Sequence, residues 1–174
     1  MKTNIFSDID TSIGILKTRI NDFKEDVASP LSKDMLDFLT GETAPEEWSE
    51  VKKEIFADVK KLLEDKEDAK YFYSQMDGFE YNAATIYGFS QAINGELSWS
   101  NIYMMNFYFR DNDVYVDPDL AKNIVIGEDS ISYFVYDMGH KTFEVRDRVA
   151  TDYIVESYNQ LNDLLKYIIT TTEL

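Results

Sequence analysis

The chain has one histidine, and it stands three residues after an acid, in Asp137-Met138-Gly139-His140. An imidazole acting as a general base needs an orienting carboxylate, and a turn could bring Asp137 to it. Gly139-His140-Lys141 reads as an exposed hairpin tip, however, where a histidine is simply solvated. With a single histidine and no cysteine, a His-rich metal site, a Cys-zinc site and thiolate catalysis are all excluded. A second candidate is Asp111-Asn112-Asp113-Val114-Tyr115-Val116-Asp117-Pro118-Asp119, whose alternating carboxylates have the look of a calcium loop. An EF-hand loop needs Gly at its sixth position and Glu at its twelfth, and here those are Val116 and Lys122. The run is therefore expected to be a solvated acidic loop or an acidic contact surface. A third candidate is Glu128-Asp129, with Asp137 and Asp147 at the ends of the next two strands. Acid pairs across a cleft can hydrolyse glycosides, but nothing in the spacing makes a cleft. There is no G-x-S-x-G, no Gly-rich phosphate loop before a helix and no basic-aromatic stripe. No enzyme activity, metal or other cofactor is expected.

These residues must be positioned by the elements around them. Ile9, Ile13, Leu16, Ile20, Phe23 and Val27 recur at helical intervals, predicting a helix capped by Ser7 or Asp8 and ended by Ser29-Pro30. Its narrow stripe is expected to pack on its own domain, with dimerisation left open. A second helix runs from about Ser32 to Leu39 and stops at Gly41. Thr43 to Glu47 opens a third, with the stripe Trp48, Val51, Ile55, Val59 and Leu62, and the charge run Glu64 to Lys70 as its exposed end. From Tyr71 alternation takes over. Glu80 to Phe89 reads as a strand and Asn94-Gly95 as a turn, while the dense apolar run Ile102 to Phe109 suits a buried strand or helix. After a polar loop at 110–119 comes a meander: strands Ile124 to Ile126, Ser130 to Asp137 and Thr142 to Arg146. A final helix is predicted from about Thr151, with Ile154, Tyr158, Leu161, Leu165 and Ile168 on one side. The expected class is α+β, an antiparallel sheet with flanking N- and C-terminal helices. It forms one domain over 1–174, helical to residue 70 and sheet plus helix from 71.

Net charge is -16, from 17 basic and 33 acidic residues. Such a field opposes binding to a phosphate backbone or to anionic lipid, and favours fast capture of a basic partner. The 12 Tyr and 11 Phe are expected to serve the core first and an interface second. Residues 1–30 carry no continuous apolar run, so neither a leader nor a membrane span is expected, and the location expected is cytoplasmic.

Ile124-Val-Ile-Gly127, Tyr136-Asp137-Met138-Gly139 and Ala84-Thr-Ile-Tyr-Gly-Phe89 resemble motifs of the SUKH superfamily, most nearly its YrhA-like branch. The resemblance covers residues 79 to 169. It implies an α+β sheet wrapped by helices. It also implies a bacterial immunity protein that binds and neutralises a toxin. The partner would then be a cognate, basic toxin, with no nucleic acid or membrane, and the chain a monomer or homodimer. Tyr108, Asp111, Asp113, Tyr115, Asp117 and Asp119 are the first candidates for the contact, and Glu128 and Asp129 the second. The alternative is a regulatory or scaffold domain of the same fold with a cellular partner. A carboxylate-pair enzyme would gain weight only from two acids buried together with raised pKa values.

Overall fold

A computed structural model describes residues 6–41, 43–90 and 101–172. Its sheet is a six-stranded antiparallel meander whose spatial order, β1 to β6, is the order of the chain. The chain is α+β, with helices on both sides of the sheet segments in sequence.

Helix α1 (Ser7–Asp22) buries Ile9, Ile13, Leu16 and Ile20, the residues its periodicity selects, and packs on α7 and α4. The stripe from Ile9 to Ile20 is thus covered by the chain itself, while Phe23 at its end is exposed. Neither Ser7 nor Asp8 caps it; the cap position is Phe6, with no side-chain bond. It also ends earlier than Ser29-Pro30. Lys24 takes a left-handed φ of 58°, the Glu25 N–H bonds to the Ile20 carbonyl and the Lys24 N–H to that of Asn21. This paired closure satisfies the last carbonyls, and Val27 packs from a loop instead.

Helix α2 (Lys33–Gly41) starts where the Ser32 hydroxyl accepts the Met35 N–H. Helix α3 (Glu50–Asp65) starts at Ser49, which accepts the Lys52 N–H, and not in the Pro45 segment, which is a turn. Trp48 lies before it and packs edge-on against Phe38, Phe56 and Tyr103. The charge run expected to end α3 is a corner. Lys66 is extended (φ -123°, ψ 92°), and α4 (Glu67–Gln75) then turns Ala69, Phe72 and Tyr73 into the core. The helical region therefore continues past residue 70.

The predicted strand at Glu80 to Phe89 is a hairpin. Strands β1 (Phe79–Tyr81) and β2 (Ala84–Ile86) join through Asn82-Ala83, both at positive φ. Asn94-Gly95 lies outside the described residues. Ile102 to Phe109 resolves to helix: α5 (Ile102–Arg110), whose first N–H groups bond to the Asn101 side chain. The fully buried Asn106 then donates to the Val125 carbonyl and accepts the Val125 N–H at 2.8 Å each, clasping α5 to the sheet. A short helix α6 (Pro118–Ala121) interrupts the polar loop.

The meander core forms as read, with shifted ends: β3 (Ile124–Glu128), β4 (Ser132–Asp137) and β5 (Thr142–Asp147). Gly127 lies within β3 at a bulge, not in a turn. A Cβ there would stand 2.2 Å from the Thr85 carbonyl oxygen, so only glycine lets β2 and β3 approach. The helix expected from Thr151 is the largest correction. Residues Ile154–Tyr158 form β6, paired with β5, and only Leu161–Thr171 are helical, as α7. Ile154 and Leu161 are seven apart, which mimics a helical stripe, yet the β-branched Ile154-Val155 pair is better placed on a strand. Helix α7 packs on β5 and β6, and α5 and α6 on β3.

Candidate functional site

The acidic loop after α5 is fixed from its C-terminal end. Asp117 precedes Pro118, and its Oδ1 accepts the N–H groups of Asp119 and Leu120 at 2.9 and 3.3 Å, starting α6. Its Oδ2 accepts a 2.6 Å bond from the Thr151 hydroxyl, across to the turn before β6. The Thr151 carbonyl in turn accepts from Arg146 Nη1. Glu144 and Arg146, two apart on β5, share a face with Thr142 and so with Asp137, its partner on β4. Arg146 donates from Nε to Glu144 at 2.7 Å and from Nη2 to Asp137 at 3.1 Å, all three being buried. Thus a chain of polar contacts runs from the exposed loop to the β4–β5 hairpin tip.

At that tip the Asp137 carboxylate accepts the N–H groups of Gly139 and His140 and lies 3.2 Å from the His140 imidazole. Burial pushes the Asp137 carboxyl up. Those two N–H bonds, with the His140 and Arg146 charges, outweigh it and hold the group below the ordinary carboxylate range. Asp137 therefore lacks the raised pKa that would favour a carboxylate-pair enzyme. Single donor atoms of Asp137, His140 and Glu144 come within 4.8 Å of one another. Arg146 already holds both carboxylates, and a divalent ion would be set against its fixed positive charge, so the group is better described as an ion-pair network.

Tyr108, Asp111, Asp113 and Tyr115 point out to solvent, with Tyr108 59% and Tyr115 68% exposed. Val114 and Val116 are exposed beside them. The other four candidates are engaged. Asp117 is the cap and tie just described, and Asp119 lies 3.2 Å from Lys122. Glu128 accepts from the Tyr87 hydroxyl at 2.9 Å and lies 3.7 Å from Arg148. Asp129 accepts the N–H groups of Ile131 and Ser132, closing the β3–β4 turn. Burial first, and then the Glu128 charge, raise the Tyr87 phenol far above its usual range, so it stays a donor. The two groups of candidates do meet: Tyr108 packs on Phe109, Phe109 on Tyr133, and the Arg148 guanidinium lies 4.9 Å over the Tyr133 ring.

The residues that sequence reasoning missed lie just beyond. Ile131, Val149, Tyr153, Ile154 and Val155 are all exposed, with Ile131 and Val149 at 71% and 97%. The Arg148 N–H bonds to the Ile131 carbonyl, which sets the β3–β4 and β5–β6 turns side by side. The signal was the β-branched Ile154-Val155 pair, hidden by the helical spacing.

No protein-family model matches the chain, and no solved structure matches it. The chain is similar to YrhA of Escherichia coli K12, a protein described as uncharacterised. Identity is 29% over 128 residues, 74% of this chain and 91% of that one. The aligned stretch is longer than the 79 to 169 region on which the resemblance was read.

No helix among the described residues is long and apolar enough to cross a membrane.

Proposed function

We propose that this chain is a SUKH-type, YrhA-like immunity protein that neutralises a bacterial toxin by occluding it. The observation that carries the reading is the outward set Tyr108, Asp111, Asp113 and Tyr115, presented on a loop tied down by Asp117 and Thr151. A loop held at its base loses less freedom on binding, so more of the contact energy remains as affinity. The tyrosines act as anchors and the acids select a basic surface. The net charge of -16 speeds the encounter. Toxins that cut or modify nucleic acid carry basic substrate channels, which an anionic cap fits. Asp119, Glu128 and Asp129 are held by partners of their own, and none of the acids carries out a reaction.

The test is retrieval of partners by the tagged protein from its native strain, at low and high salt. Recovery of one basic, toxin-like protein, captured less at high salt, supports the reading, and its inhibition in an activity assay completes it. Recovery of an intracellular regulator instead overturns it in favour of a scaffold domain of the same fold.

A further inference from the structure

Strand β6 ends the sheet, paired only with β5. Ile154, Val155, Glu156 and Ser157 are all exposed, and among the described residues no hydrogen bond reaches its outer edge. A free edge is a template for another strand, and proteins that must remain monomeric blunt it with charge or a bulge. Here both devices are present: Glu156 stands at mid-strand, and the register breaks between Val145 and Arg146. They discriminate among occupants. Antiparallel pairing of two copies about the strand centre sets Glu156 against Glu156, between chains that each carry -16. A strand with Lys or Arg opposite Glu156 meets the reverse situation, with Asp152 close by in sequence and the Asp117–Thr151 tie holding the acidic loop to the turn just before β6. Ile154, Val155 and Tyr153 supply the apolar contact for its other residues.

We propose that β6 receives an extended segment of alternating basic and β-branched residues from a partner protein, which adds a seventh strand to the sheet. This deepens the function proposed above and rests on its basic partner. Backbone pairing supplies the register, and Glu156 selects against self-association.

The probe is a capped heptapeptide, Thr-Lys-Val-Lys-Val-Lys-Thr, added to the full chain at low salt. Amide hydrogen exchange is read along the backbone. Slowing of β6 amides by about tenfold or more is expected, as for any newly paired edge. Methylating alternate peptide nitrogens removes the donors and keeps the charge, and should abolish the slowing. Glu156→Lys, an exposed change that breaks no side-chain hydrogen bond or ion pair among the described residues, should abolish it too. Equal effects of the methylated and unmethylated peptides would overturn strand pairing, as would slowing confined to residues 108–116. The latter result would leave the acidic-loop function standing, and an absence of slowing anywhere would overturn the edge proposal alone. The proposed function itself fails only in the partner-retrieval experiment.

Discussion

Asp117 and Thr151, far apart in the chain, are joined by a 2.6 Å hydrogen bond in which the Thr151 hydroxyl donates to Oδ2. The bond ties the acidic loop to the edge of the sheet. Thr151→Val keeps the volume and the Asp117 cap but deletes this tie. It should cost about 1 kcal/mol in urea unfolding, and more if Asp117 Oδ2 is left without a partner. Amide exchange at 111–116 should rise with no change in β3 or β4. Unchanged exchange there would show that the loop is held by other contacts.

Arg146 is the only cation among the described residues that contacts Asp137 and Glu144 together. Arg146→Met takes from two buried carboxylates the guanidinium they share, and should cost about 3–5 kcal/mol. Replacing Asp137 and Glu144 by Asn and Gln in the same protein should recover much of that loss. A loss of unfolding free energy in the single variant below about 1 kcal/mol would mean the network is open to water.

Acid should probe Asp137 and Asp68 in opposite senses. The folded pKa of Asp137 lies below 3.8, so its contribution is complete above that pH and is lost as pH falls through the folded value. Asp68, which accepts the Asn162 N–H at the start of α7, is shifted the other way, chiefly by burial. Its contribution is present below 3.8 and is lost as pH rises through the raised folded value. Asp137→Asn should therefore flatten the acid limb of the stability curve. Asp68→Asn should remove a decline on the side above 3.8. Curves that overlay the parent protein at all pH values would refute both assignments.

Tyr108→Ala and Tyr115→Ala remove exposed rings that make few internal contacts, so each should change stability by less than about 0.5 kcal/mol. Against the toxin retrieved by the native chain, at least one should weaken binding by about 2 kcal/mol, the size of an interface anchor. Full-strength binding by the double variant would move the contact elsewhere.

The meander was legible because alternation and turn residues agree from Ile124 to Asp147. The strand β6 was not, because Ile154 and Leu161 fall on a helical period by coincidence. The β1–β2 hairpin was hidden by a turn of Asn82-Ala83, which lacks the glycine that usually marks such a turn. In the candidate surface, charge alone could not separate acids facing out from acids bonded in. Asp117 carried a readable clue, since an acid before proline suits a helix start. Asp129, two residues before Ile131, had the matching signal of a side chain closing its own turn. Asp119 and Glu128 owe their engagement to Lys122, Tyr87 and Arg148; for the last two, only the folded chain brings the partner near.

Strands β2 and β3 pair directly although residues 87–123 lie between them in the chain. The whole acidic segment, with α5 and α6, is thus an excursion from a hairpin-like seam whose register is set elsewhere, at Gly127 and Thr85. Such an arrangement makes the segment exchangeable. A different excursion of similar span that kept an Asn106-like clasp and an Asp117-like tie could be grafted onto the same sheet, altering what the protein recognises without rewriting how it folds.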